Sequence, residues 1–243
     1  MIQVTNVCKR FDGNEVLRNV SLHIKPGEFV AVMGQSGCGK STLLYCISGM
    51  DQPTSGEILF QGRSLTGISA KETQHLRLSH MGFIFQKANF LKNLSIQDNI
   101  LFPAFQAGDR PRRDIVAEAE ALMHRMGIEA IAAQDIRTVS GGQLQRAAIC
   151  RAMINHPKIL FGDEPSGALN SAATKEVLDI LSQIHQEGTT ILLVTHDAKV
   201  AARADRVIYL EDGRIRAELP VGRFAAGQAR EKRLADWLAN MGF

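Results

Sequence analysis

The fold of this chain is decided by the stretch Gly34-Gln35-Ser36-Gly37-Cys38-Gly39-Lys40-Ser41. It matches the G-x-x-x-x-G-K-S pattern of a loop that wraps around phosphate groups. An apolar segment, Phe29 to Met33, precedes the loop, and a helix-like segment, Thr42 to Ile47, follows it. Glycines allow the backbone to approach phosphates closely, and the amides at a helix N-terminus favour anions. The stretch therefore predicts a strand, loop and helix that bind ATP or GTP.

Two residues of this loop have predicted roles of their own. Lys40 would reach the β- and γ-phosphates, and Ser41 would ligate Mg²⁺. The other positions in and next to this loop that are predicted to bind the nucleotide are Gly34, Ser36, Gly37, Cys38, Gly39 and Thr42.

Short β-type runs alternate with helical stretches around this loop, which predicts an α/β fold. We expect a P-loop NTPase core with a mostly parallel sheet and an antiparallel β side sheet formed by the early strands. The predicted strands are Ile2–Val7, Val20–Ile24, Glu28–Met33, Glu57–Phe60, Met81–Phe85, Ile159–Asp163, Thr190–Thr195 and Arg206–Leu210.

The pattern changes between about Lys87 and Arg137, where strand signals disappear and helical spacing takes over. The apolar positions that carry this spacing are Ile115, Ala119, Leu122, Met123 and Met126. We predict an inserted helical subdomain at 87–136, between core segments 1–86 and 137–218. A C-terminal helical tail is expected at 219–243, with Leu234, Trp237 and Leu238 on one side of a helix from Gln228 to Asn240.

Composition excludes some functions and constrains others. The 28 basic and 25 acidic residues give a net charge of +3, too weak to favour nucleic acid as the main partner. Apolar runs such as Ile191–Val194 are much shorter than the roughly 20 residues that span a bilayer. The N-terminal residues lack a secretory apolar region. A membrane role is therefore expected to come through a partner. The four cysteines lack paired metal-ligand spacing, which favours free thiols in a reducing cytoplasm.

A second set of chemical groups follows the strand Ile159–Asp163. Asp163 is predicted to hold Mg²⁺, directly or through water, and Glu164 to act as general base toward the attacking water. Exposed acidic residues often end strands, so this pair indicates a hydrolytic site only because the chain also has a phosphate loop. His196, which follows another apolar strand, is a candidate γ-phosphate sensor. Gln86 closes the strand Met81–Phe85 and could reach Mg²⁺ or the water.

The segment Ser140-Gly141-Gly142-Gln143 opens a predicted helix that runs to about Ile154. Ser140 and Gln143 have the spacing of a capping box, which is a sufficient structural explanation for both. Two adjacent glycines are nevertheless a poor helix start unless the backbone must approach something closely. A phosphate held by another subunit would supply that reason.

With these motifs in this order, from about Ile2 to Gly213, the sequence resembles the ABC ATPase family. Ser140–Gln143 matches the family signature, preceded by Val139 where leucine is usual. Gln86 matches the Q-loop glutamine and His196 the switch histidine. Phe11 lies at the position that stacks on adenine, where tyrosine is more usual.

The resemblance implies a homodimer in which the signature motif, Ser140, Gly141, Gly142 and Gln143, closes over ATP held by the partner's phosphate loop. Two ATP with Mg²⁺ would join the subunits, and hydrolysis would let them open. The cycle would drive an integral membrane permease subunit at the cytoplasmic face of the membrane, with no nucleic acid involved. Two alternatives share the cassette: a cell-division-type regulatory ATPase, and a soluble ATPase that acts on nucleic acid or ribosomes.

Other segments narrow the resemblance to the macrolide-export, lipoprotein-release and bacitracin-resistance group. They are the runs Gln86–Ile100 and Asp163–Ser171 and the tail Arg230–Phe243. This group implies an exporter or a mechanotransmission ATPase. Asn170 departs from the family, which usually has aspartate there, so we expect slower or less coupled hydrolysis. The substrate is expected to be selected by the permease.

Overall fold

The computed structural model describes residues 1–223 and 228–241. They form two compact units. The first unit contains residues 1–69 and the described residues from 184 onward, and the second unit contains residues 70–183.

Ten strands and eight α-helices make up the described chain. The strands are β1 (Ile2–Phe11), β2 (Asn14–Ile24), β3 (Phe29–Met33), β4 (Ser55–Phe60), β5 (Arg63–Ser64), β6 (Met81–Phe85), β7 (Ile159–Asp163), β8 (Thr190–Val194), β9 (Arg206–Glu211) and β10 (Arg214–Pro220). The helices are α1 (Lys40–Ile47), α2 (Ala70–His80), α3 (Ile96–Ala107), α4 (Arg112–Arg125), α5 (Gly141–Met153), α6 (Ser171–Gln186), α7 (Ala198–Ala201) and α8 (Gln228–Ala239).

In the first unit, an antiparallel sheet has the strand order β2-β1-β4-β5. A two-residue turn, Asp12 at φ 46° and Gly13 at φ 85°, closes the β1–β2 hairpin. This turn sets Phe11 opposite Asn14 at the end of the hairpin. Positive φ at both central residues suits the twist of a two-residue hairpin. The predicted antiparallel side sheet is confirmed.

The same unit holds a group of parallel strands, in which β3 pairs with β8 on one side and β9 on the other. All five residues of β3 have no exposed surface, as expected for a strand covered on both faces. Strand β10 pairs antiparallel with β9 and is the edge strand of this sheet.

In the second unit, β6 and β7 pair in parallel, with Phe85 opposite Asp163. Helices α2 to α5 and most of α6 complete this unit. The apolar positions predicted at helical spacing all face the interior, from Ala119 with no exposed surface to Leu122 at 7%. The predicted α/β class and the helical character of this region are confirmed.

Several elements were not predicted from the sequence, and three of them have a clear physical reason. Strand β5 has only two residues, and β10 is rich in charged residues and partly exposed along its whole length. Helix α2 is strongly polar, and only Thr73 and Leu76 are buried in it. The division into two units also differs from the expected insertion at 87–136, and those domain boundaries stay a prediction.

Helix α8, the predicted tail helix, packs on the first unit. Leu234 and Leu238 are buried, and the ring of Trp237 meets that of Tyr209 edge to face at 6.3 Å. The Arg230 guanidinium donates to the carbonyl oxygen of Gly222 at 2.7 Å. The tail predicted at 219–243 includes 224–227 and 242–243, which lie outside the described residues.

An ion pair between a buried histidine and a half-buried aspartate lies at the opposite end of β3 from the phosphate loop. The Nε2 atom of His185, at the end of α6, lies 3.0 Å from Oδ2 of Asp205, which also accepts from the backbone N–H of Phe29 at 3.0 Å. Hydrogen bonding to Asp205 raises the pKa of His185 against the effect of burial. Burial alone would raise the pKa of Asp205, but its bonds to His185 and Phe29 leave that pKa lowered.

This pair gives the stability of the protein a definite pH dependence. Because the folded pKa of His185 is raised, its contribution is complete below the ordinary value of 6.5 and is lost as pH rises through the raised pKa. The contribution of Asp205 is complete above 3.8 and is lost as pH falls through its lowered pKa. We therefore expect the free energy of unfolding in urea to fall as pH rises above 6.5, and to fall less in His185→Gln. The exposed His124→Gln is the matched control, and parallel curves for wild type and His185→Gln would contradict this account.

Candidate nucleotide-binding and hydrolysis site

The phosphate loop leaves the end of β3 and enters α1 at Lys40. Gly39 is the N-cap of α1 with φ 103°, and a Cβ there would lie 2.9 Å from the carbonyl oxygen of Val16 and 3.0 Å from Leu17 Cδ2. Only glycine combines this positive φ with so close an approach to β2. The hairpin strand and the phosphate loop are thereby packed backbone to backbone.

The start of α1 is suited to an anion. Within the described chain no side chain caps it, and its first turn holds no acidic residue. The first amides of a helix have no partner inside the helix, so these donors can serve a phosphate. The Lys40 ammonium donates to the carbonyl oxygens of Gly34 and Gln35, both at 2.8 Å, which uses two of its three N–H groups. Ser41 and Thr42 follow in the first turn of the helix, and both are half-buried.

Cys38 is the one buried side chain with a titratable group in the described loop. It is 9% exposed, and burial raises the pKa of its thiol although Lys40 acts in the opposite direction. A raised pKa keeps the thiol protonated and unreactive at neutral pH. A cavity of about 330 Å³ lies alongside, lined by Ser36, Gly37 and Cys38 and by Glu211 to Gly213.

His196 lies at the same edge of the parallel strands as the phosphate loop. Strands β8 and β3 pair with Val194 opposite Val32, and the Thr195 N–H donates to the Val32 carbonyl oxygen at 3.1 Å. His196 comes next and is exposed. In the first unit the structure thus brings together the loop and the predicted sensor, because both follow parallel strands at their carboxyl ends.

Phe11 stands at the end of the β1–β2 hairpin with 45% of its surface exposed, the largest fraction among the exposed large apolar side chains of the described chain. Because β2 contacts Gly39 through Val16, the hairpin that carries this ring packs against the phosphate loop. An exposed aromatic ring on such a hairpin is suited to contact a nucleotide base.

In the second unit the structure brings together Gln86, Asp163 and Glu164. Phe85 lies opposite Asp163 in the β6–β7 pair, so Gln86 and Glu164 leave neighbouring strands at the same level. A Cβ added at Gly167 would lie 2.8 Å from Nε2 of Gln86, so the glutamine side chain extends over the turn that follows Glu164. The Gly167 N–H donates to the Glu164 carbonyl oxygen at 3.0 Å and closes that turn.

Glu164 adopts a left-handed backbone conformation, with φ 51°. For a residue other than glycine such a conformation costs on the order of 1–3 kcal/mol and is concentrated at functional sites. This conformation turns the backbone immediately after β7. The backbone at Glu164 therefore runs in a different direction from the backbone at Asp163. This is the backbone arrangement needed if two adjacent carboxylates are to serve different roles.

The donors available for a metal match magnesium in kind. Within the described residues no three His, Cys, Asp or Glu side chains are grouped around a metal position. The predicted ligands offer one hydroxyl, one amide and one carboxylate, from Ser41, Gln86 and Asp163. Mg²⁺ bound with a nucleotide takes few protein oxygens and completes its shell with phosphates and water. In their chemistry, these oxygen donors therefore fit Mg²⁺.

The signature helix α5 begins with a complete capping box. The Ser140 Oγ accepts from the Gln143 N–H at 3.3 Å, and the Ser140 N–H donates to Gln143 Oε1 at 2.9 Å. Gly142 packs tightly against α6, because a Cβ there would lie 3.0 Å from the Cβ of Ala173, closer than an ordinary contact. Gly141 is exposed and has only an ordinary 3.6 Å neighbour in Leu169. Contacts within the chain thus account for the cap at Ser140 and for Gly142, but not for Gly141.

Sequence reasoning missed the groups that support this helix. Arg146 forms an ion pair with Glu176 of α6, and Nε2 of Gln145 donates to the Phe85 carbonyl oxygen at 3.1 Å. A cavity of about 380 Å³ lies beside the helix start, lined by residues 140–143, Arg146, 168–170, and Ala172, Ala173 and Glu176. The sequence shows that Arg146 lies close to the signature motif. Its partner, Glu176, is 30 positions further along the chain, so local spacing could not identify it.

Asn170, the departure from the family pattern, caps α6. Its Oδ1 accepts from the Ala173 N–H at 2.9 Å. Asparagine and aspartate are about equally good N-caps. The structural role of this position is therefore satisfied by either residue.

A phosphate loop between a buried parallel strand and a helix, with a carboxylate pair after another parallel strand, defines a P-loop nucleoside-triphosphatase. The profile of the family described as "ABC transporter" matches residues 17–167, more than half of the chain. The chain belongs to the ABC transporter family, and it is an ATP-binding ATPase cassette of that family.

Similar proteins include two macrolide export ATP-binding/permease proteins. MacB of Rhodospirillum rubrum is 42% identical over 219 residues, covering 88% of this chain and 34% of the relative. MacB 2 of Aeromonas hydrophila is 39% identical over 248 residues, covering 98% of this chain and 38% of the relative. The chain thus spans somewhat more than a third of the length of these relatives.

Solved cassettes are similar over their whole length. The dimeric structure of MJ0796, a bacterial ABC transporter cassette, has a TM-score of 0.86 and 35% identity, covering 92% of this chain and 100% of that one. A dimeric post-hydrolysis state of the same cassette, bound to ADP and Pi, has a TM-score of 0.85 and 34% identity. Among the described residues of the present chain, none of the helices has the length and apolar character to cross a membrane.

Two substitutions of Ser140 separate helix capping from phosphate binding. In Ser140→Asp the cap is kept, so the free energy of unfolding should match wild type, but the new charge repels a phosphate and ATPase activity should be lost. In Ser140→Ala the cap is lost, which should cost about 1 kcal/mol of stability. Urea unfolding and phosphate release measure the two properties. Full ATPase activity in Ser140→Asp would mean that Ser140 serves only as a cap.

Proposed function

We propose that this chain dimerises around two Mg-ATP and drives a membrane permease at the cytoplasmic face of the membrane. Each composite site would pair the phosphate loop of one subunit with the signature helix of the other. The permease would be of the exporter or mechanotransmission type, for antimicrobial peptides, macrolides or lipoproteins.

The start of α5 carries this proposal. Ser140 and Gly141 are exposed beside a cavity of about 380 Å³, and the capping box engages only the Gln143 amide of the first turn. The remaining early amides are donors without an intrahelical acceptor. The chain gives Gly141 no packing reason of its own, so a ligand that approaches the backbone closely accounts for it. The dimers formed by similar cassettes support a second subunit as the source of that ligand.

Hydrolysis would proceed by attack of a water oxygen on the γ-phosphorus of ATP. The bond from that phosphorus to the β–γ bridging oxygen would break, and ADP would leave with the electron pair. Glu164 would accept the proton of the water, and Gln86 would orient the water. Lys40 and His196 would stabilise the charge on the transferred group. Phe11 would hold the base.

Mg²⁺ would be held by Ser41, Gln86 and Asp163. When bound, it would neutralise part of the charge on the β- and γ-phosphates. The strained turn at Glu164 supports different roles for the two carboxylates, with Asp163 as a Mg²⁺ ligand and Glu164 as the base. It directs the backbone away from Asp163.

A permease partner is supported by the names of the relatives, which describe combined ATP-binding and permease proteins. The matched region corresponds to about a third of those proteins, so the transport activity of a whole assembly is part of this proposal. Co-purification of a membrane protein would exclude the soluble alternative, and the identity of that protein would separate transport from cell-division regulation.

The first experiment uses Glu164→Gln, with size-exclusion chromatography and light scattering in the presence and absence of Mg-ATP. The base is lost while the phosphate contacts remain, so ATP should bind and the closed dimer should accumulate. We expect a monomer that becomes a dimer only with ATP.

Lys40→Ala serves as the control, because it should weaken nucleotide binding itself and leave a monomer in both conditions. A turnover rate near wild type in Glu164→Gln would contradict its assignment as the base. A Glu164→Gln variant that binds ATP but stays monomeric would contradict the composite site.

The effect of Asn170 can be tested in the same assay. Because aspartate at this position would keep the α6 cap, Asn170→Asp should leave the thermal midpoint nearly unchanged. We expect its ATPase rate and the cooperativity in ATP to increase, since a charged residue is restored between the sites. Unchanged rate and cooperativity would mean that asparagine at this position has no functional effect.

A further inference from the structure

A buried lysine lies beneath the ring proposed to hold the base. Lys9 is 9% exposed and is the one lysine or arginine among the buried residues of the described chain. Its ammonium lies 2.7 Å from Oδ1 of Asp51, donates to the Gln52 carbonyl oxygen at 2.7 Å, and lies 4.7 Å from the centre of the Phe11 ring. A cation within about 6 Å of an aromatic centre is attracted to the ring face.

The strand geometry brings the two side chains together. Lys9 and Phe11 are two positions apart on β1, so they lie on the same face of the sheet. The ammonium lies over one face of the ring, and 45% of the surface of Phe11 is exposed. The ring is therefore held by the ammonium on one face and still has surface available for a ligand.

The lysine also connects the ring to the phosphate-binding helix. Asp51 follows α1, and its N–H donates to the carbonyl oxygen of Tyr45 within that helix at 3.1 Å. Burying an ammonium is costly unless it is paired, and Asp51 and the Gln52 carbonyl meet that requirement. These contacts connect Phe11, through Lys9 and Asp51, to the helix that begins in the phosphate loop.

We infer that Lys9 is a positioning residue for the nucleotide base: its ammonium, fixed by Asp51 and Gln52, orients the Phe11 ring so that the open face stacks on the purine. This inference rests on the proposed function, in which Phe11 holds the base. A neutral side chain at position 9 would leave the ring free to rotate, and ordering it would then oppose binding. The effect should be confined to ligands that have a base.

The test is a double-mutant cycle of Lys9→Met and Phe11→Leu, with equilibrium binding of ATP and of inorganic tripolyphosphate as the probes. Lys9→Met should raise the dissociation constant for ATP about two- to fivefold, the range expected of a cation–π contact at a partly exposed site. Binding of tripolyphosphate should not change. In the Phe11→Leu background the same substitution should have no further effect on ATP.

The outcomes separate this inference from the proposed function. If Phe11→Leu weakens ATP no more than tripolyphosphate, the stacking role of Phe11 is wrong. If Phe11→Leu weakens ATP selectively but Lys9→Met weakens both probes equally, or adds fully to Phe11→Leu, the positioning role of Lys9 is overturned. Lys25→Met, at an exposed lysine of the same unit, is the matched control. Should Lys9→Met fail to fold, Asp51→Asn loosens the same ammonium and must give the same selective loss.

Discussion

The close approach of β2 to the phosphate loop is the contact on which the nucleotide-facing part of the first unit depends. At Gly39 two main chains pass so near each other that a single added carbon would lie 2.9 Å from the Val16 carbonyl oxygen. The hairpin that carries Phe11 and the helix that begins at Lys40 are held together by this contact. The proposed base contact at Phe11 and the phosphate loop therefore share one backbone constraint, although the residues involved are distant in sequence.

The second unit is organised by a different constraint, the register of two parallel strands. Because Phe85 lies opposite Asp163, the residues that follow each strand emerge side by side. The left-handed turn at Glu164 then brings Gly167 under the Gln86 side chain. Both Gly142 against Ala173 and Gly167 against Gln86 show that small residues in this unit make room for a neighbour. Packing therefore accounts for both of these glycines.

Local pattern was sufficient for much of this molecule. The phosphate loop, the strand that precedes it and the capping box at Ser140 depend on neighbours only a few positions away, and all could be predicted. Helix α2 could not, because its polar surface gives little periodic signal. Partners such as Glu176 for Arg146 and Asp51 for Lys9 are fixed by tertiary packing, 30 and 42 positions away, which no local spacing encodes. The close packing of Gly142 against Ala173 could not be predicted from the sequence for the same reason.

Strand β10 has a consequence for how copies of the protein meet. It lies at the edge of the strand order, where unpaired backbone groups can recruit a strand from another molecule. Arg214, Arg216 and Glu218 alternate along it, and Pro220 ends it without an N–H to donate. Such charges and a terminal proline disfavour the joining of two sheets edge to edge. Association by extension of the sheet through β10 is thus discouraged, which is compatible with the proposed dimer, whose contacts would form and separate with ATP.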